Sequence, residues 1–344
     1  MLKSERVLFI SVALAVSCLL TALLAGCGGW SNRISTEKPI DMVATGGKYN
    51  TITLRNKSDG TIIKTIPNGE PIFSMDFSPD RKFLAVGGTR YLNVWRIADG
   101  EKVCECIVPG ITNSNVKGVK YSPDGSYIVC YRNQQSPSYK IDVSSATGNI
   151  TLISMEYLPI GIDVSPTGKY IATVSTSIEH CYTVWNSDGS EYKHVVGDQF
   201  NDVKCDIITF SPDEKSVVTG TIDDSCIQFR DMLTGKITKK IVKPLGVPSY
   251  ICIRFLPDGR SLLVASTQTD ALRLFDYQTQ TFIRDIGPSI TITGINRNSV
   301  DLSADGLYVA ASYVDGRIDF FDVNSGTLLW TQIEPCTNAV ALSF

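Results

Sequence analysis

The sequence predicts an all-β protein built from one repeated four-stranded unit, and periodic turns and strand patterns support this prediction. The first turn motif, typified by Phe77-Ser78-Pro79-Asp80, recurs at intervals of 43 to 47 residues. Proline presets the backbone of the first turn position, and Asp and Gly favour the reversal that follows. Each copy therefore predicts a tight turn between two strands. The six copies begin at Phe77, Tyr121, Val164, Phe210, Phe255 and Leu302.

Strand patterns flank each of these turns. Apolar residues alternate before the first copy, at Phe73, Met75 and Phe77, and a β-rich run follows it at residues 83–86. A third apolar stretch, such as residues 92–95, leads to a second periodic turn and a fourth strand. The unit is therefore predicted to be four antiparallel strands. The second turns are centred on Asp99-Gly100, Thr147-Gly148, Asp188-Gly189, Thr234-Gly235, Thr279-Gln280 and Ser325-Gly326.

Four-stranded units of about 40 to 45 residues that repeat along a chain form a β-propeller, in which the sheets, or blades, surround a central channel. Both ends of the sequence fit one further blade that is split between them. Residues 340–344 have the pattern of a first strand that runs into its turn, and residues 42–47, 51–54 and 61–64 supply the other three strands. Pairing these segments closes the ring and removes exposed sheet edges. The prediction is a seven-bladed β-propeller over residues 40–344.

The repeats resemble those of the WD-repeat family and of related propellers with Ser-Pro-Asp-Gly turns. Trp95 and Trp185 lie at the tryptophan position of a WD repeat but are followed by Arg and Asn instead of Asp. The chain has two histidines, His180 and His194, so the histidine-centred network of WD repeats is not expected. The resemblance implies a divergent WD-like propeller that serves as a monomeric scaffold for a protein or peptide partner.

The first 26 residues resemble the signal peptide of a bacterial lipoprotein. A basic start precedes an uncharged apolar stretch at residues 7–25, and the stretch ends in Leu24-Ala25-Gly26-Cys27. The resemblance implies cleavage between Gly26 and Cys27, lipid attachment at Cys27 and a short tether over residues 27–39. It also implies an extracytoplasmic location on the cell membrane or the outer membrane. The alternative is an uncleaved transmembrane helix, for which 19 residues are just sufficient.

The chain contains ten cysteines, of which Cys18 lies in the predicted leader and Cys27 is the predicted lipid site. The remaining eight permit disulfides in an exported protein. Most of them lie in predicted strands, where free cysteine behaves as a small buried apolar residue. None has the CxxC spacing of a metal site, so no metal is predicted. The eight are Cys104, Cys106, Cys130, Cys181, Cys205, Cys226, Cys252 and Cys336.

Catalytic and nucleic-acid functions have little support in the sequence. The formal net charge is −3 and there is no basic run, which argues against nucleic-acid binding. No nucleophile elbow, zinc-protease motif or phosphate loop is present, so no catalytic residue and no cofactor is assigned. Asp322, Ser325, Gly326 and Trp330 resemble the docking motif of quinoprotein propellers. The motif occurs once rather than in every blade, so a pyrroloquinoline cofactor is not expected.

Two hypotheses for the function follow. In the first, the loops between each fourth strand and the next first strand form a docking face for a protein, with Phe200, Tyr250 and Arg297 as candidate anchors. Its longest loop is predicted at residues 285–298. In the second, the protein is an extracytoplasmic enzyme of lactonase or hydrolase type that acts at the mouth of the channel. This second hypothesis predicts titratable side chains with shifted pKa values at that mouth.

Overall fold

The computed structural model describes most of the chain from residue 41 onward, and the described residues form strands and turns without a helix. The described ranges are 41–108, 115–132, 138–142, 150–153, 159–175, 182–195, 207–220, 226–242, 250–266, 272–287, 295–313, 315–334 and 337–343. The predicted leader, tether and lipid site, residues 1–39, therefore lie outside the described residues.

The strands are, in chain order, β1 (Met42–Gly47), β2 (Thr51–Asn56), β3 (Ile62–Pro67), β4 (Ser74–Phe77), β5 (Phe83–Gly87), β6 (Tyr91–Arg96), β7 (Lys102–Ile107), β8 (Val116–Tyr121), β9 (Tyr127–Arg132), β10 (Ser138–Asp142), β11 (Ile150–Ile153), β12 (Pro159–Val164), β13 (Tyr170–Ser175), β14 (Tyr182–Asn186), β15 (Glu191–Val195), β16 (Ile207–Phe210), β17 (Ser216–Gly220), β18 (Cys226–Asp231), β19 (Ile237–Val242), β20 (Tyr250–Phe255), β21 (Ser261–Ser266), β22 (Leu272–Asp276), β23 (Thr281–Ile286), β24 (Ile295–Leu302), β25 (Tyr308–Tyr313), β26 (Arg317–Asp322), β27 (Leu328–Ile333) and β28 (Thr337–Leu342).

These strands form seven antiparallel four-stranded sheets. Blades 1 to 6 take four consecutive strands each, from β4–β7 to β24–β27, and blade 7 has the order β28-β1-β2-β3. The first strands β4, β8, β12, β16, β20, β24 and β28 contact one another in that order, and β28 contacts β4. The ring is therefore closed, and the predicted seven-bladed propeller is confirmed.

Blade 7 closes the ring by joining the two distant parts of the chain. Ala44 of β1 lies opposite Ala341 of β28 in an antiparallel register. The backbone N–H of Met42 donates to the hydroxyl of Ser343 at 2.7 Å, across a sequence separation of 301 residues. The split blade predicted from the sequence is thus present, and its two alanines are fully buried or nearly so.

The first turns of blades 1, 2, 4 and 6 are each held by their own serine and aspartate. In blade 1 the hydroxyl of Ser78 donates to Asp80 at 2.6 Å and accepts the backbone N–H of Phe83 at 2.9 Å. The position after the aspartate has positive φ, and it is glycine in several blades, such as Gly125. Blade 1 places Arg81 there with φ of 62°, a conformation that is costly for a residue with a Cβ.

The hydrophobic core lies between the blades. One cluster joins Ile52 and Leu54 of blade 7 to Leu84 and Val86 of blade 1, and equivalent clusters fill the other junctions among the described residues. Each sheet therefore buries both faces against its neighbours, which explains why the second and third strands are almost entirely buried.

The two ends of the disc differ in their connections. The turns between first and second strands and between third and fourth strands lie at one end, which we name the turn face. The connections between second and third strands and between one blade and the next leave from the other end, which we name the loop face. Asp41 directly precedes β1 on the turn face, where its carboxylate pairs with Arg81 at 2.8 Å and with Lys57 at 3.3 Å.

Five of the cysteines lie among the described residues, and all five are free thiols. Cys106, Cys130, Cys226 and Cys252 are buried, as expected for small apolar core residues, and Cys104 is half-buried. The sulfur atoms of Cys104 and Cys106 lie 3.2 Å apart, because residues two apart on a strand share one face. Cys181, Cys205 and Cys336 lie outside the described residues. In the described part of the chain, no helix has the length and apolar character needed to span a bilayer.

Candidate functional site

The residues predicted to form a docking face are only partly described. Phe200 and the lipidation pair Gly26 and Cys27 lie outside the described residues. Tyr250 is the first residue of β20 and Arg297 lies within β24, and their side chains are outside the description. The structure therefore places Tyr250 and Arg297 in the backbone of two first strands and leaves their predicted role as anchors untested.

The predicted loop at residues 285–298 was too long. β23 continues to Ile286, where Asp285 pairs with Arg273 at 3.0 Å, and β24 already begins at Ile295. The register of β24 shifts between Ile295 and Val300, and such a bulge interrupts the alternation of apolar and polar residues. The polar residues at 296–299 therefore looked like loop in the sequence.

The structure brings together a group of residues that the sequence analysis did not identify. In each blade, the residue two positions before the serine of the first turn, or before Leu256 in blade 5, lies on the first strand, close to the turn-face mouth of the channel. We name these seven residues the channel ring, and five of them are charged. They are Asp76, Lys120, Asp163, Thr209, Arg254, Asp301 and Ala341.

The three carboxylates of the channel ring link neighbouring blades. Asp76 accepts the backbone N–H of Tyr121 at 2.6 Å, Asp163 accepts that of Phe210 at 2.9 Å, and Asp301 accepts that of Leu342 at 2.8 Å. In each case the donor lies on the first strand of the next blade. Each carboxylate keeps a second oxygen, and the Oδ1 atom of Asp76 lies 3.8 Å from the ammonium group of Lys120.

Burial and neighbouring charges shift the pKa values of Asp76 and Lys120. Burial raises the pKa of Asp76 to about 6; the charge of Lys120 opposes the rise and the charge of Asp301 adds to it. The neighbouring Asp76 carboxylate in turn raises the pKa of Lys120. Arg254 has a different environment, because its Nη1 donates only to the carbonyl of Ile253 at 3.2 Å and its Nε has no hydrogen-bond partner among the described residues.

The channel contains a cavity of about 100 Å³ next to the ring. Its wall includes Ser74, Gly118, Tyr131 and Cys252 in addition to four charged ring residues, Asp76, Lys120, Arg254 and Asp301. This volume suits several waters or a small polar molecule. The described residues contain no group of three His, Cys, Asp or Glu side chains placed to hold a metal. The cavity can therefore bind a small polar ligand beside a carboxylate that titrates near neutral pH.

The two tryptophans that resemble those of WD repeats are each held by a buried polar side chain. The indole N–H of Trp185 donates to the hydroxyl of Thr173 on the neighbouring strand at 2.9 Å. The indole N–H of Trp95 donates at 3.0 Å to the side-chain oxygen of Asn68, which follows blade 7. Histidine takes no part in either bond. His194 instead lies on β15, where its Nδ1 is 2.8 Å from the hydroxyl of Thr183.

The described part of the loop face exposes three large apolar side chains around blades 6, 7 and 1. Tyr49, in the turn between β1 and β2, is 69% exposed, and Ile333, at the end of β27, is 77% exposed. Ile107 lies at the end of β7 and is also exposed. Arg90, in the turn between β5 and β6 of blade 1, is also exposed. This group of four residues is named the loop-face patch.

Part of the chain matches a known repeat family. Residues 60–96 match the family described as "WD domain, G-beta repeat". They run from the second turn of blade 7 through the third strand of blade 1. Protein tipD of Dictyostelium discoideum is 23% identical over 261 residues, which cover 74% of this chain and 40% of tipD.

A second relative and a solved structure are also similar to this chain. Small ribosomal subunit protein RACK1z of Oryza sativa subsp. japonica is 25% identical over 138 residues, covering 38% of this chain and 41% of that protein. The matches thus span about two fifths of each of these relatives. Kuenenia stuttgartiensis hydrazine synthase shares the fold, with a TM-score of 0.61 at 15% identity over 74% of this chain and 77% of that chain. This chain is therefore a seven-bladed β-propeller in which residues 60–96 resemble a WD repeat.

Proposed function

We propose that this protein is a membrane-anchored, extracytoplasmic β-propeller that acts as a scaffold for protein–protein interaction. The observation that carries the proposal is the loop-face patch. Tyr49, Ile107 and Ile333 offer apolar area and Arg90 offers a planar cation, and buried aromatic and Arg residues dominate the energetics of protein interfaces. WD-repeat propellers are interaction modules, and the matches to the WD domain family and to RACK1z support this role.

The anchor is supported by the sequence of the first 27 residues and by the position of Asp41. The chain enters the propeller on the turn face, because Asp41 contacts the turn residues Lys57 and Arg81. A lipid on Cys27 would therefore hold the turn face towards the bilayer. The loop-face patch, at the opposite end of the disc, would then point away from the membrane and remain open to a partner.

Two measurements test the proposal separately. Growth with a labelled fatty acid should label the wild-type chain but not a Cys27→Ala variant, and a wild-type chain without label would refute the anchor. Cross-linking in the native membrane should capture a stoichiometric partner that Tyr49→Ala with Ile333→Ala loses. Lys169→Ala, a substitution of an exposed residue on the turn face, is the matched control. A partner retained equally by both variants would refute the role of the patch.

A second candidate function is small-molecule chemistry of the lactonase or hydrolase type in the channel. The cavity and the raised pKa of Asp76 favour it, since a carboxylate with a pKa of about 6 can exchange a proton near neutral pH. Turnover of lactones or esters that rises through about pH 6 and disappears in Asp76→Asn would support this candidate. No turnover of either substrate class by the wild-type protein would eliminate it.

A further inference from the structure

Among the described residues, the exposed large apolar side chains of the turn face lie in blades 4 to 7. The described residues expose twelve large apolar side chains, and nine of them lie on the turn face or at the adjoining start of a fourth strand in blades 4 to 7. Their exposed fractions range from 39% to 71%. We name these nine residues the apolar edge. They are Ile62, Ile63, Leu233, Ile237, Phe282, Ile283, Leu307, Leu328 and Leu329.

Apolar pairs of the edge recur at the same position in successive blades. In blades 5, 6 and 7 the second and third residues after the second turn are both apolar, at 282–283, 328–329 and 62–63. The equivalent residues of blade 1 are Lys102 and Val103, and those of blade 3 are Glu191 and Tyr192. Outer strands of a propeller do not need apolar residues at an exposed position. Three consecutive apolar pairs therefore indicate a surface that something covers.

The start of the described chain lies next to this edge. Asp41 pairs with Lys57, and Lys57 lies in the turn that leads directly to Ile62 and Ile63. The indole N–H of Trp330, the neighbour of Leu329, donates to the backbone carbonyl of Lys57 at 2.9 Å. Asp41 is thus linked through Lys57 to the turn that precedes the apolar pair of blade 7 and to Trp330, which follows the apolar pair of blade 6.

The predicted tether would keep the apolar edge near the bilayer. Residues 27–39 are thirteen residues, which reach about 43 Å when fully extended. With lipid on Cys27, the edge beside Asp41 would remain within this distance of the bilayer. The second turns of blades 5 and 6 would enter the interface at little cost in desolvation, because they carry no charge at their tips. Their tip residues are Gln278, Thr279, Gln280, Asn324 and Ser325.

We propose that the apolar edge inserts into the headgroup region of the bilayer, so that the propeller lies tilted with blades 4 to 7 against the membrane. The proposal rests on the lipid anchor proposed above and adds a second, non-covalent contact. Apolar side chains on an interfacial surface bury about 5 to 10 Å into the boundary between headgroups and acyl chains. The anchor and the edge together fix the orientation of the disc, so the loop-face patch is presented at a constant angle.

Tryptophan fluorescence with brominated lipids tests the proposal. The full chain, carrying Trp30→Phe to remove the tether signal, is placed in vesicles whose acyl chains bear bromine. Phe282→Trp reports on the apolar edge, and Glu191→Trp reports on the equivalent position of blade 3. We expect the lipid to quench the added tryptophan at 282 at least about twofold more strongly than that at 191. Equal quenching at the two positions overturns the proposal.

The same samples separate this proposal from the anchor. Mass spectrometry of the reconstituted protein shows whether Cys27 carries fatty acid. Fatty acid with equal quenching overturns the edge and keeps the anchor, whereas preferential quenching at 282 without fatty acid keeps the edge and overturns the anchor. A dimer that Leu328→Ser with Leu329→Ser dissociates, again with equal quenching, would assign the edge to a second copy of the chain and overturn the lipid proposal.

Discussion

Neutralising Asp76 should make the protein more stable at neutral pH. The pKa of this carboxyl is 3.8 when unperturbed and about 6 in the folded protein. The folded state therefore binds the proton more tightly than the unfolded state, and the resulting stabilisation is full below about pH 3.8 and is lost as the pH rises through about 6. The difference corresponds to about 3 kcal/mol once the group is ionised in both states. Asp76→Asn removes this loss, because the amide oxygen can still accept the N–H of Tyr121.

Urea unfolding at several pH values measures the effect. The free energy of unfolding of Asp76→Asn relative to wild type should increase by about 2 to 3 kcal/mol between about pH 4 and about pH 7.5. Asp59 is the matched control, because hydrogen bonds from the backbone and hydroxyl of Thr61 lower its pKa. Asp59→Asn should change the difference in the opposite direction and mainly below about pH 4, since a lowered pKa contributes stability that is lost as the pH falls through the folded-state value. Parallel pH profiles of wild type and Asp76→Asn would refute our account of the channel ring.

Three further predictions concern the core and the thiols. Phe320 is fully buried and stacks on Trp330 with ring centroids 5.0 Å apart. Phe320→Ala should therefore lower the free energy of unfolding in urea by about 3 to 5 kcal/mol. A decrease below about 1 kcal/mol would contradict this packing. Thr173→Val leaves the indole N–H of Trp185 unpaired and should cost about 1 to 3 kcal/mol, whereas Thr173→Ser, which keeps the hydroxyl, should cost less. Iodoacetamide should modify Cys104 before Cys130, because the hydrogen bond from Cys106 lowers the pKa of Cys104 while burial raises the pKa of Cys130 to about 12. Peptide mass spectrometry gives the order of modification, and the reverse order would refute this prediction.

The fold could be predicted from the sequence because its signals are local and periodic. In blades 1, 2, 4 and 6 the serine and aspartate of the first turn bond to one another across two residues, as Ser78 and Asp80 do, so these turns are specified by their own sequence. The split blade was also visible, because residues 42–64 hold three strands without a first one. The bounds of β24 were missed for an equally local reason, since its bulge hides the alternation on which strand prediction depends.

The channel ring could not be found in the same way. A charged residue at position 76, 120 or 254 interrupts an apolar strand in the sequence. The groups that surround its side chain, however, come from other blades of the ring. Only ring closure brings these side chains around one cavity and gives Asp76 its raised pKa. The apolar edge could not be recognised from the sequence for the same reason. Apolar pairs such as 62–63 and 328–329 are evident in the sequence, yet they are far apart until β28 places blade 7 beside blade 6.

The pairing of β1 with β28 also determines the order in which the protein can be assembled. Blade 7 needs residues 337–342, which are synthesised after all the other strands, so β1 waits with an unpaired edge while blades 1 to 6 form. Pairing across nearly the whole chain is slow, because it requires closing a very long loop. An open edge during that wait can pair with other chains. Completion of the ring is therefore the step at which a chaperone would most improve the yield of folded protein.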